Sequence, residues 1–245
     1  MMASLGRHCW VRILAFLGLA ACGLAQAGNK LVLSTSVVAP YTTAGRQGFL
    51  DQLIPAIFRE VGHDAEVQVY PNASERSLLN ANEGIDDGQA LRVGGLDKIY
   101  PNLIQVPESI ITNDFVAIGA RLRFATPDWD ALRPYSVSYI IGWKVFEANV
   151  PVAVPRTPVR DAEQMFTLLA RGRVDVVLYE RWQGLEQARA SGVPAVVMEP
   201  PLVSTPMYLY LHKKHAALVP RVARALARLK QDGTYQRIHA ATLKP

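Results

Sequence analysis

Arginines at the ends of short apolar runs are the side chains whose type and position point to chemistry. Arg92 closes Asp87-Gly88-Gln89-Ala90-Leu91-Arg92, a β-rich run, which places its guanidinium near the carboxyl edge of a strand. Open α/β sheets bind ligands at that edge. A guanidinium there can hold a carboxylate through two parallel charge-assisted bonds, each worth about 1.5–3 kcal/mol. The structural alternative is a pair with Asp86, Asp87 or Asp97. Arg76 falls in the first turn of a helix predicted over Ser74–Asn82, where the helix dipole disfavours a cation by about 0.3–1 kcal/mol. A ligand carboxylate would offset that cost, and so would Glu75 or Glu83. Trp143, in Gly142-Trp143-Lys144, follows a strand-like run and opens a helix, so it is either a pocket wall or a core ring.

Motifs for covalent or metal-assisted catalysis do not occur. There is no His-Glu-x-x-His, no Gly-x-Ser-x-Gly and no phosphate loop. His212-Lys213-Lys214-His215 has helical metal-ligand spacing, but two lysines beside it would repel a cation, and it reads as a solvated basic turn. Asp86-Asp87 and Asp128 to Asp130 are poor acid–base pairs, because adjacent strand residues point to opposite faces and loop aspartates shape turns. Neither a metal nor another cofactor is expected.

The elements that must position these residues alternate. Leu31–Thr35 is a strand, and the apolar residues at 50, 53, 54, 57, 58 and 61 recur on one helical face. Asp51 is a candidate cap for that helix and Gly62 its stop, while Pro55 is tolerable only in a first turn. Strands are then predicted over 65–70 and Gly88–Val93, flanking the Ser74–Asn82 helix, with further strands at 103–106 and 115–119. The rhythm restarts with strands at 137–141, 152–154, 174–179 and 195–198 and helices at 161–171 and 182–191. One more strand at 207–211 precedes a helix whose Leu218, Val222, Ala225, Leu226 and Leu229 face inward and whose Arg221, Arg224 and Arg228 face water. Alternation of this kind implies an α/β protein with largely parallel sheets.

The chain has 245 residues, 50% hydrophobic and 19% charged, a composition that excludes extensive disorder. Its start has the three parts of an export signal. Arg7, His8 and Arg12 are basic, the residues from Ile13 to Leu24 are apolar, and Ala25-Gln26-Ala27 has the small-x-small form of a cleavage site. Leu19-Ala20-Ala21-Cys22 offers a second processing site, with lipidation of Cys22 as the only tie to a membrane. Either route leads out of the cytoplasm, to the periplasm. Both cysteines, Cys9 and Cys22, lie in this leader, so cleavage after Ala27 leaves no disulfide, thiolate site or cysteine nucleophile. Removing the leader takes two of the 26 basic residues and none of the 21 acidic ones, a formal balance of +3. That is too little for a nucleic-acid partner.

Leu31-Val32-Leu33-Ser34-Thr35, Pro40-Tyr41 and Gly48-Phe49-Leu50 at the front, with Tyr210-Leu211-His212-Lys213-Lys214 and Lys230-Gln231-Asp232-Gly233-Thr234-Tyr235 near the end, resemble the extracellular solute-binding proteins of family 3. Those proteins serve amino-acid-type ABC importers. The resemblance spans nearly the whole chain after the leader. It implies a type II periplasmic-binding fold with two mostly parallel sheets and a hinge. Lobe one would be 28–120 plus 203–245 and lobe two 121–202. It implies a small polar ligand, amino-acid-like or a carboxylate, held between the lobes, with an inner-membrane ABC permease as partner and no catalysis. A periplasmic sensor is the alternative, followed by a dehydratase-like enzyme of the same fold. On this resemblance Tyr41 packs on the ligand or else caps the core. The family's carboxylate-gripping arginine after the third strand is missing from Val93-Gly94-Gly95-Leu96-Asp97-Lys98. Its lobe-two aspartate is replaced by Glu180, which either takes over that role or is neutralised by Arg181.

Overall fold

The computed structural model describes residues 30–71 and 73–244. The residues expected to form a leader, with both cysteines, therefore lie outside the described residues. The order begins β1 (Leu31–Thr35), α1 (Phe49–Arg59), β2 (Ala65–Val69), α2 (Ser74–Asn82) and β3 (Gly88–Val93). β1 pairs in parallel with both β2 and β3. Four of the five β1 residues are buried, as expected of a parallel strand covered on both faces. In α1 the apolar face predicted from the sequence is the buried one. Asp51 does cap this helix, but from its third position: its carboxylate accepts the Gly48 and Thr43 N–H groups, each at 2.9 Å. Pro55 is well inside the helix rather than in its first turn, so the Asp51 carbonyl lacks the usual donor four residues on.

The runs at 103–106 and 115–119 are one strand, β4 (Leu103–Gly119), 17 residues long and so roughly 55 Å from end to end. Its first part pairs antiparallel with β9 (Val203–His212), from Leu103 opposite His212 to Phe115 opposite Val203. From Phe115 to Gly119 it also pairs with β7 (Val176–Glu180). The apolar alternation fails in its middle because the register shifts between Gln105 and Ile111, and a bulge re-aims side chains without ending the strand. The remaining elements are β5 (Val137–Ile140), α3 (Lys144–Asn149), β6 (Arg156–Val159), α4 (Ala162–Ala170), α5 (Arg181–Ala190), β8 (Val196–Val197), α6 (Val219–Gln231) and α7 (Thr234–Thr242).

These strands form one nine-stranded sheet in the order β2-β1-β3-β9-β4-β7-β5-β6, with β8 on β4. This corrects the expectation of two mostly parallel sheets. β5 is parallel to β6 and β7, yet every ladder of β4 and β9 is antiparallel. Because β4 runs unbroken past the change of partner, the ladder never stops. The strand expected at 152–154 is also displaced: Val152 is 93% exposed, and β6 begins at Arg156. Pro158 is accommodated there because β6 is an edge strand.

Core packing follows the chain's two passages along the sheet. One apolar cluster joins residues from Leu31 to Ile111 with residues from Met207 to Leu243. Two others are built only from residues between Val116 and Leu202. On α6, Val222, Ala225, Leu226 and Leu229 are buried, and Arg221, Arg224 and Arg228 are exposed.

Candidate functional site

Arg92 is placed by a stack of neutral groups. Gln89 is fully buried in β3, and its amide donates to Ser34 Oγ at 2.7 Å, Ser77 O at 2.6 Å and Ser77 Oγ at 2.8 Å. Held in that way, Gln89 Oε1 accepts Arg92 Nε at 2.8 Å. The two terminal nitrogens of Arg92 donate to Ser74 Oγ at 2.8 Å and Ser74 O at 3.2 Å, at the first residue of α2. Its aspartate alternatives form no ion pair with it. Asp87 pairs with Lys214 and His215, Asp86 meets Tyr70 at 3.4 Å through one oxygen while its Oδ2 is buried without a hydrogen-bond partner, and Asp97 is exposed. Arg92 is therefore a half-buried cation without a carboxylate at ion-pair distance among the described residues. Burial pulls its pKa down to about 10, against the opposing influence of Tyr100 and Glu75.

Tyr41 and Glu180 meet. Tyr41 is fully buried beyond the end of β1, and Glu180, 1% exposed, ends β7. The phenol oxygen lies 3.0 Å from Glu180 Oε1 and 2.9 Å from Asn113 Oδ1 on β4. Glu180 Oε2 accepts the Gln183 N–H at 2.9 Å, capping α5. Desolvation raises the Glu180 pKa to about 7, although the Gln183 and Trp182 N–H groups and the Tyr41 hydroxyl favour the anion. Burial also carries the Tyr41 phenol well above its ordinary range.

Arg181 does not neutralise Glu180. Its Nε donates to Asp114 at 3.1 Å, and its terminal nitrogens donate to both Glu199 oxygens at 2.7 and 3.1 Å. Ser204 on β9 donates to the second Asp114 oxygen at 2.6 Å. α5 is thus clamped to β4 and β9 where β4 changes partner. Trp143 stacks on Phe146 at 5.8 Å and leans on Tyr179 at 4.8 Å. It is half-buried, so one part of the indole is core and the other is accessible. Arg76 is exposed and is not brought onto Arg92's partners.

Sequence reasoning missed Asn113, Gln89, Ser74 and the Arg181–Asp114–Glu199 group. The one available signal was polarity inside β-rich runs: Gln89 in β3 and Asn113-Asp114 in β4 interrupt apolar stretches. A half-open depression of about 390 Å³, lined by Lys30, Arg46, Asp51, Pro55 and Glu66 among others, lies at the opposite edge, where β1 and β2 begin. Its two cations both close on Glu66, so neither is an unpaired cation like Arg92.

No protein-family model matches the chain. A curated relative, an uncharacterised protein of Shewanella oneidensis, is 23% identical over 189 residues, covering 73% of this chain and 69% of its own. Among solved structures, the chain is similar to the GluR0 ligand-binding core from Nostoc punctiforme in complex with L-glutamate. The TM-score is 0.69 at 16% identity, over 88% of this chain and all of that one. It is similar as well to a histidine kinase sensor domain with similarity to periplasmic binding proteins, with TM-score 0.67 at 16% identity, over 89% and 97% of the two chains. Among the described residues no helix is long and apolar enough to cross a membrane. The fold is that of the type II periplasmic binding proteins.

Proposed function

We propose that the protein captures a small carboxylate-bearing solute at the carboxyl edge of its sheet, between a lobe of 28–120 plus 203–245 and a lobe of 121–202, without changing it chemically. The single observation that carries this reading is Arg92, a half-buried guanidinium held only by neutral acceptors. Withdrawing a charge from water costs free energy unless an opposite charge arrives, and a bound carboxylate supplies one. Delivery to an inner-membrane ABC permease after export is the use to which we assign the captured solute. A sensor role is the second reading, favoured by the likeness to a histidine kinase sensor domain.

The test is a thermal-shift screen with amino acids, polyamines and small carboxylates, repeated on Arg92→Ala. A ligand at 100 times its Kd stabilises the folded state by about 2.7 kcal/mol. We expect such a shift for a carboxylate with the natural protein and its loss in the variant, with the unliganded melting temperature little changed. An unaltered shift in the variant, or none across the panel, overturns the reading.

A further inference from the structure

We propose that Tyr208 and Ser109 complete the site with Arg92, and that the solute they read carries a second, uncharged oxygen besides its carboxylate: a keto, hydroxy or amide acid. This inference rests on the function proposed above and narrows it to two further contacts and a ligand class.

The pairing of three neighbouring strands sets these side chains in one row. Arg92 on β3 stands opposite Tyr208 on β9, and Tyr208 stands opposite Ser109 on β4. Directly paired residues of antiparallel strands share a face, with Cβ atoms about 4.5–5.5 Å apart, so the row spans about 10 Å. On β9, Met207, Leu209 and Leu211 fill the large apolar cluster, while Tyr208 and Tyr210 turn to the other face, on the side of α2. The register shift on β3 between Gln89 and Arg92 brings Arg92 to that same side, where it meets Gln89 and Ser74.

Each member of the row has hydrogen-bonding capacity left over. The bonds of Arg92 to Gln89 and Ser74 leave an N–H on each terminal nitrogen. Among the described residues the Tyr208 and Ser109 hydroxyls have no hydrogen-bond partner, and neither is sealed from solvent. Tyr210, on the same face, is different: its hydroxyl lies 2.7 Å from Val93 O and 2.8 Å from Gln105 Oε1. The Tyr208 ring leans over Gly94, where a Cβ would lie 3.4 Å from Tyr208 Cε2. Gly94 is exposed and has no side chain to cover the ring, so the ring edge stays open at the carboxyl end of β3.

Charge decides what the two hydroxyls take. The row holds one cation and so matches one carboxylate. Lys230 adds none, because it meets Ser109 only at the backbone carbonyl and closes on Glu108. The unpartnered carboxyl of Asp86 precedes β3, about 20 Å of strand away from Arg92. A second carboxylate at Tyr208 and Ser109 would leave water without a counter-charge, which is costly, whereas a neutral oxygen accepts from both hydroxyls without that cost. A solute lacking the oxygen leaves those donors unpaired and is discriminated against.

Isothermal titration at pH 7 with acids of equal length tests this: 4-oxopentanoate against pentanoate, 5-oxohexanoate against hexanoate, and 3-(4-hydroxyphenyl)propanoate against 3-phenylpropanoate. In every pair with a measurable binder we expect the oxygenated acid to bind about tenfold more tightly, the worth of one or two hydrogen bonds. That preference should vanish in the double variant Tyr208→Phe/Ser109→Ala, and Arg92→Ala should abolish binding of both members. Without ligand the double variant should melt with the natural protein, since neither hydroxyl is bonded within it, whereas Tyr210→Phe should melt lower. Equal binding within the pairs, or a preference that survives in the double variant, with binding still lost in Arg92→Ala, overturns this inference and leaves the capture function standing. So does failure of every pair when another carboxylate of the wider screen binds through Arg92. Binding indifferent to Arg92→Ala, or no carboxylate bound at all, removes both.

Discussion

The Tyr41 hydroxyl lies 3.0 Å from Glu180 Oε1, joining a residue that follows the first strand to one that ends the seventh. Tyr41 packs with the cluster that contains both ends of the described chain, and Glu180 closes a strand of the middle clusters. A phenol has one proton to donate, yet this one faces two acceptor oxygens, on Glu180 and Asn113. A proton on Glu180, or a turned Asn113 amide, supplies the second hydrogen.

Tyr41→Phe removes only that hydroxyl. It leaves a buried carboxyl and a buried amide each short of a partner, which costs about 1–3 kcal/mol. Urea denaturation should show a lower midpoint with an unchanged slope. An unchanged midpoint would mean that the bridge contributes nothing.

Stability should carry a pH signature from Glu180. Its folded-state pKa is about 7, above the ordinary carboxyl value it has in the unfolded chain. The native state therefore binds more protons than the unfolded state between those two values. The contribution is fully present below the unfolded pKa and is lost as pH rises through about 7; its size is about 3 kcal/mol. His212 and His239 oppose it, because burial lowers their pKa values, so the readout is the difference between the natural protein and Glu180→Gln. Denaturation between pH 5 and pH 8 should show a fall in stability that the variant lacks, and parallel curves would refute the assignment.

Gly48 fixes where Tyr41 stands. A Cβ there would lie 2.5 Å from the Tyr41 carbonyl oxygen and 2.8 Å from that of Pro40, backbone atoms that cannot swing aside. Gly48→Ala should therefore cost about 1–3 kcal/mol through overpacking and shift the Tyr41 ring away from Glu180. Gly45→Ala is the control, since its nearest neighbour is the Gln47 Cγ at 4.0 Å, and it should stay within about 0.5 kcal/mol of the natural protein. Equal effects of the two substitutions would contradict the close-approach argument.

The α/β class was legible because it is written in local periods. The bounds of β1, α2 and β3 follow from runs of apolar and β-branched residues closed by glycine or polar residues. The water-facing arginines of α6 follow from the helical repeat. Arg92 could be picked out for the same reason, as the last strong cation of a strand-like run. The period failed where the backbone was irregular: the bulged middle of β4 read as a gap, and exposed Val152 looked like a strand.

Sequence by itself determined which segments become helices and strands and that a guanidinium would stand at a strand's carboxyl edge, because both depend on neighbours a few residues apart. Only tertiary structure decided that Glu180 would meet Tyr41, 139 positions away, and that Arg181 would reach Asp114 and Glu199 instead of its neighbour. Partner choice among buried charges is set by which groups the folded sheet brings within about 3 Å in a water-poor space, and no local pattern encodes that distance.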